Sequence, residues 1–383
     1  MSRTVIGVVC CLLGATLALP AGAWGVKGHM MAARVAVRAL APDMPLFFRQ
    51  AVEPLAYLCP EPDRWRGPHQ PALTATTAPD HGMRLELLRG IELPPTRYEF
   101  IALAAERGIL PRDKLDFRNL GTSFYAIVEE AERLTVEFRL WREAQEAAAP
   151  DPVVLRQLEA NILFSAGVLA HFITDNSQPL HTSVHTNGWA ANFPNPNHYV
   201  GQGIHRRFET EYVERAVSEQ DIASRMDPLR PLGDWRVEAQ AHLRRSHEFV
   251  EQVYAFDQRG AFGSGDEPKE AHPFTAARLA AGASLLRDAW QAAWKKSGEH
   301  LLDEPVRYAG VKGRSALDLL GALKKVETRD YDFGKLVSAI GNRRNGDADR
   351  YWHYYVNGKP AWEAADRFIT SGGEQIEWRF GSH

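Results

Sequence analysis

The sequence predicts an all-α fold, and three observations carry that reading. Apolar residues recur at the helical spacing of three and four through most of the chain. The segments so marked are filled by Ala, Leu, Glu, Arg and Gln, which are good helix formers. No convincing strand-turn-strand pattern lies between them. Composition agrees with a folded globule: of 383 residues, 45% are hydrophobic and 24% charged. Those values exclude a disordered chain, a collagen-like repeat and a disulfide scaffold. The length fits two domains, or one large helical domain with an appendage.

Taken in order, the first segment reads as an export signal. Arg3 supplies a positive start, Val5 to Leu19 is an uncharged apolar run, and Ala21-Gly22-Ala23 is a small-x-small cleavage site. The run is shorter than the roughly 20 apolar residues of a membrane span, so cleavage before Trp24 is expected, with an uncleaved anchor as the alternative. A secreted or periplasmic location follows. Cys10 and Cys11 leave with the signal, so Cys59 has no partner for an internal disulfide and reads as a buried or bystander thiol.

The mature chain opens with a helix from Trp24 to Leu40, stopped by Pro42. Further helices are expected over Pro45–Leu58, Thr122–Ala149, Pro152–Thr174, Arg206–Ser224, Trp235–Phe256 and Pro273–Lys296. Pro- and Asn-rich punctuation marks loops at Cys59–Pro79 and Asn187–Gly203. A softer boundary near Gly260–Pro268 divides a first domain, 24–260, from a C-terminal helical extension, 261–383, whose end is unusually aromatic. The formal net charge is −3, from 45 basic and 48 acidic residues, which leaves no basic footprint for nucleic acid. A small anionic substrate stays open, because a bound metal supplies its own positive field.

The densest chemistry lies in His171-Phe172-Ile173-Thr174-Asp175-Asn176-Ser177-Gln178-Pro179-Leu180-His181. His171 and Asp175 fall at i and i+4 on one helix face, so an imidazole and a carboxylate can converge on one ion. Pro179 breaks the helix and can turn His181 back to the same place. His205 and Glu209 repeat the i,i+4 pair. Either pair alone reads equally well as a helix-terminal or surface contact; two pairs beside a histidine returned by proline make accident less plausible. His29, Asp63 and His81 complete the candidates nearer the N-terminus.

Taken in order, Trp24, His29, Asp63, His81, His171, Asp175, His181, His205 and Glu209 resemble the trinuclear-zinc superfamily of zinc-dependent phospholipases C and fungal and plant single-strand-specific nucleases. The match runs from Trp24 to about Val217, and its core is His-Phe-x-x-Asp-x-x-Gln-Pro-Leu-His. The resemblance implies a compact multi-helix fold with a cluster of three zinc ions in a cleft. Asp63, His81, His171 and Asp175 would hold one zinc. Trp24, through its terminal amine and carbonyl, would hold a close neighbour with His29 and a bridging Asp175. His181, His205 and Glu209 would hold a third.

The function so implied is an exported zinc-dependent phosphodiesterase using a metal-bridging hydroxide, with Asp63 and Asp175 as its catalytic carboxylates. Its substrate would be a phospholipid headgroup or single-stranded nucleic acid, with transient contact to a membrane surface and no obligate protein partner. The five-residue step from Trp24 to His29 looks like the nuclease branch, and Glu209 in the third motif like the phospholipase branch. Trp65, Trp189 and Phe193 could stack a base or line a headgroup groove; Arg64, Arg66, Arg206 and Arg207 could contact phosphate. A non-catalytic, zinc-stabilised helical binding protein is the alternative. His185 and His198 are possible substitute ligands; His69, His242, His247, His272, His300, His353 and His383 read as surface or packing residues.

Overall fold

The computed structural model describes residues 24–109, 116–263 and 268–381. The export signal expected over Met1–Ala23 lies outside the described residues. Helix α1 (Gly25–Arg38) buries Met31, Ala32, Val35 and Ala36 against α2 (Val52–Leu58). A short helix, α3 (Glu61–Arg64), follows, and α4 (Arg97–Glu106) starts at a capping box in which Thr96 and Glu99 satisfy each other's backbone amides.

The centre of the helical body is a hairpin of α5 (Ser123–Gln145) and α6 (Pro152–Asp175). Asp151 caps α6 by accepting from Val153 N at 2.7 Å, and Pro152 sits in its first turn, where the missing N–H is harmless. From Ser165 onward every residue of α6 is buried. The helix is long and apolar enough to cross a membrane by length and composition, but that half is enclosed by protein. Gly167 makes the enclosure possible, because a Cβ there would lie 2.4 Å from Leu58 Cβ.

Three expected helices are broken. The segment from Pro45 divides into Leu46–Gln50 and α2. The segment from Arg206 begins as a short turn, Ile204–Arg206, winds as a π-helix over Arg207–Tyr212, and then restarts twice. The segment from Trp235 divides into α7 (Trp235–His247) and Val250–Gln258.

The expected C-terminal helical extension is corrected on two points. Helix α8 (Ala271–Asp303) belongs to the helical body: Leu279, Ala283, Leu286 and Trp290 are fully buried in the same core as α1, α5 and α6. Beyond it, the described residues carry seven short strands and one α-helix, α9 (Ala316–Leu323). Strands β1 (Val306–Ala309), β5 (Tyr351–Val356), β6 (Lys359–Pro360) and β7 (Gln375–Gly381) form one antiparallel sheet in the order β1-β7-β5-β6. Strands β2 (Val326–Tyr331), β3 (Gly334–Ile340) and β4 (Arg343–Arg344) form a second. These sheets have their own core of Leu320, Ile340, Trp352, Ile376, Trp378 and Phe380. The physical reason is visible in β7, where Ile376, Trp378 and Phe380 point inward between outward Gln375 and Arg379. Tyr351, Trp352, Tyr354 and Tyr355 are strand residues of β5, not a helix face, and Trp362 lies in an exposed loop.

Candidate metal centre

The buried last turn of α6 sets the centre. His171 and Asp175 stand one turn apart, with His171 Nε2 3.2 Å from Asp175 Oδ2. Gln178 and Pro179 end the helix, and the 3-10 turn Pro179–Thr182 brings His181 back beside it. His29 comes from α1, Asp63 from α3 and His81 from the turn Ala78–His81. The strand-like segment after His81 can press against His181 because Gly82 has no side chain: a Cβ there would be 2.4 Å from the His181 carbonyl oxygen. Met83 N then donates to that oxygen at 2.8 Å.

Eight of the nine candidate side chains meet here. In the deeper part, His29 Nε2 is 3.2 Å from Asp175 Oδ1, and His81 Nδ1 is 3.0 Å from Asp175 Oδ2. Asp63 Oδ1 lies 3.7 Å from His81 Nδ1 and 3.8 Å from His171 Nε2. In the outer part, Glu209 Oε2 is 3.0 Å from His205 Nε2 and 3.5 Å from His181 Nε2. The π-helical winding after Arg206 keeps His205 and Glu209 on one side of the chain; such insertions recur at functional sites. His181 Nδ1, 3.7 Å from Asp175 Oδ2, lies between the two parts.

Three sets of ligand atoms lie close enough to hold a metal ion: His29, Asp63 and His171; His81, His171 and Asp175; and His181, His205 and Glu209. The third is the set read from sequence. The first joins His29 to Asp63, whereas the sequence reading put them on neighbouring ions. Trp24 is fully buried next to the centre; its indole N–H bridges to Thr174 O at 2.8 Å and Ser177 Oγ at 2.9 Å, on either side of Asp175.

The chemistry of the donors fits a zinc-type cation. His171 Nδ1 donates to Cys59 O at 3.0 Å, His205 Nδ1 to Thr186 O at 2.9 Å, and His181 Nδ1 to His81 O. His29 Nδ1 donates to Thr174 Oγ1 at 2.7 Å, whose own proton goes to Ala170 O. In a neutral imidazole so held, Nε2 is a bare lone pair. Four such lone pairs therefore point into the centre, and those of His181 and His205 face each other at 3.2 Å. Among the described residues, His29 Nε2, His81 Nε2, Asp63 Oδ2, Asp175 Oδ1 and Glu209 Oε1 are buried with no hydrogen-bond partner. Buried polar atoms in folded proteins are otherwise satisfied. Imidazole nitrogen and carboxylate oxygen are the ligands zinc takes, and carbonyl partners on the far nitrogen are the usual second layer.

Electrostatics divides the histidines: against their burial, Asp175 raises His29 well above the usual imidazole range and Glu209 raises His205, so a cation would displace a proton from each. Burial pulls His81 down to about 4, keeping it neutral. Burial alone would raise Glu209, but His205 and His181 outweigh it and hold the carboxylate at about 2. Asp175 is likewise held well below the usual carboxylate range, by His171 and His181 against its burial.

A cleft of about 190 Å³ opens on His81, His181 and His205, and Arg66, Arg84 and Arg118 line it. Arg66 pairs with Asp63. Arg84 donates to His181 O at 3.0 Å, and burial lowers its pKa to about 10. Arg84 and Arg118 were not among the sequence candidates; nothing in their spacing ties them to the histidines. Of the arginines expected near phosphate, Arg64, Arg206 and Arg207 pair elsewhere, with Glu61, Glu211 and Asp257. None of Trp65, Trp189 and Phe193 lines this cleft. Trp189 stacks on His185 at 3.8 Å, and His185 Nδ1 accepts from Ala190 N, so His185 is not a substitute ligand. His198, on an exposed turn, is not in any of the three sets either.

Comparison with known proteins adds two kinds of likeness. A family described only as a domain of unknown function, DUF4430, matches residues 313–382, which is most of the β unit. No curated protein sequence matches the chain. Among solved structures, an alpha toxin from Clostridium absonum is 12% identical over 94% of this chain and 98% of its own, with a TM-score of 0.39. The alpha-toxin of a Clostridium perfringens avian strain is 11% identical over 92% of this chain and 81% of its own, with a TM-score of 0.29. At these TM-scores the likeness carries no inference about activity.

Proposed function

We propose that this chain is an exported, zinc-dependent hydrolase of phosphate esters. The observation that supports it most is the meeting of bare imidazole nitrogens and unpartnered carboxylate oxygens beside an open, arginine-lined cleft. Among the described residues those atoms make no hydrogen bond, and a buried lone pair left unmet is unfavourable. A purely structural metal site would be closed on all sides; this one opens to the cleft.

When bound, the ions supply positive charge that acidifies water and polarises a phosphoryl oxygen. Asp63 is the proton acceptor: Arg66 holds one of its oxygens and leaves Oδ2 buried and free. Asp175, between His29, His81 and His171, would hold metal together with them. Arg84 holds a non-bridging oxygen of the substrate, and Arg118, paired with Asp116, adds positive charge to the cleft wall. Removal of the export signal makes the Trp24 amine a terminus, and Trp24 then joins the ligands.

The absence of Trp65, Trp189 and Phe193 from the cleft favours recognition by charge over base stacking, and so a phospholipid headgroup over single-stranded nucleic acid. Parallel assays on phosphatidylcholine vesicles and single-stranded DNA, with and without a chelator, test this. The expected result is chelator-sensitive release of the phosphorylated headgroup. Cleavage of DNA alone would reassign the substrate. Metal-loaded protein that cleaves neither, nor a simple aryl phosphodiester, would overturn the reading.

A further inference from the structure

A second polar cavity, about 360 Å³ in volume, shares no lining residue with the arginine cleft. Arg278 of α8 lines it, with its guanidinium 3.7 Å over the Phe249 ring. Among the described residues Arg278 makes no ion pair, and its Nε is buried without a hydrogen-bond partner. Burial lowers its pKa to about 10, and the charge of Asp227 offsets only part of that loss of water.

Two neighbours on α7 are also left incomplete. The Ser246 hydroxyl is 3% exposed and has no hydrogen-bond partner among the described residues. His242 donates from Nε2 to Ile173 O at 3.0 Å, so its Nδ1 is a bare acceptor. Arg245, exposed at the rim, pairs with no described carboxylate. The acids nearby do not fill the gap: Asp288 pairs with Arg287 at 2.7 Å, while Asp227 and Glu248 lie at the exposed rim and form no ion pair with Arg278. A partly desolvated guanidinium beside an unsatisfied buried hydroxyl is costly unless an anion completes it.

We propose that this cavity binds a small oxyanion, a phosphate or carboxylate group held by Arg278, Arg245 and the Ser246 hydroxyl. Planar guanidinium forks suit such groups, and the space beyond them is walled by Phe249 and Leu285, which can carry a short carbon skeleton. The cavity contains none of the proposed metal ligands, although Ser177, which holds the Trp24 indole, is part of its wall, and binding there does not depend on any reaction at the metal centre.

Calorimetric titration of inorganic phosphate and of glycerol 3-phosphate into the wild type, Arg278→Gln and Arg245→Gln, with bound metal measured on each, tests the assignment. Both variants should bind phosphate roughly tenfold more weakly, the loss of one charge-assisted contact, with metal content unchanged. Arg245 is exposed, so its variant serves if Arg278→Gln fails to fold. Tighter binding of glycerol 3-phosphate than of inorganic phosphate identifies an organic ester as the occupant, and the reverse identifies the free ion. A wild type that binds neither, or two variants that bind both as well as the wild type, would overturn the proposal.

Discussion

Thr174 shows how much a single residue decides at the centre. Its hydroxyl gives its proton to Ala170 O, so towards His29 it can only accept. That fixes the His29 tautomer and aims Nε2 at Asp175. Replacing Thr174 by Val removes the acceptor with little change of shape. Metal affinity should fall by about 10–100-fold, the usual effect of losing an outer partner, in competition with a chromophoric chelator. Unchanged affinity would mean that His29 is held by packing alone. Residues of this kind are hard to read in a sequence. His171, Asp175, His181, His205 and Glu209 were legible because helical spacing and one proline imply where they point. The partners that orient them are backbone carbonyls, of Cys59, His81 and Thr186, and a carbonyl carries no residue signature.

At the scale of elements, α5 and α6 were legible almost to their ends, because a long apolar period bounded by Pro152 and an aspartate cap admits little else. The C-terminal strands were missed for an opposite reason. Strand β2 is exposed along nearly its whole length, so no buried alternation marks it, and a period of two is carried only by β7 and the four-residue β1. Helix α5 also carries a penalty that can be measured. Burial raises the Glu130 carboxyl to about 7, with Arg133 only partly offsetting it. The folded protein thus holds a proton that the unfolded chain, titrating near 4.5, releases earlier. Stability from this group is full below the unfolded value and is lost as pH rises through about 7. In urea unfolding, Glu130→Gln should gain on the wild type between pH 5 and pH 8. An equal difference between the two proteins at both values would show that the carboxyl is not buried in solution.

Across the whole molecule, the helical body and the β unit meet at the end of α5. Glu146 is buried there: its Oε1 accepts from Asn342 N at 3.2 Å, and its carbonyl accepts from Lys325 N at 3.0 Å. Arg343 and Lys324 both approach its Oε2 to 3.9 Å. Gly341, at φ +60°, lets the chain pass, since a Cβ there would lie 2.3 Å from Glu146 Cδ. Because each unit has its own apolar core, Glu146→Ala should uncouple them, turning one calorimetric transition into two. A single unshifted transition would show that other contacts carry the interface.

The same scale corrects the use of total charge. A net of −3 gives no indication of an anion site, yet about three zinc ions would bring about six positive charges to one cleft. The central claim is that the converging nitrogens and carboxylates hold metal, and elemental analysis of the purified mature protein tests it most directly. The account predicts close to three zinc ions per chain, with a clear loss in Asp175→Asn. A folded wild type that retains no metal would contradict it.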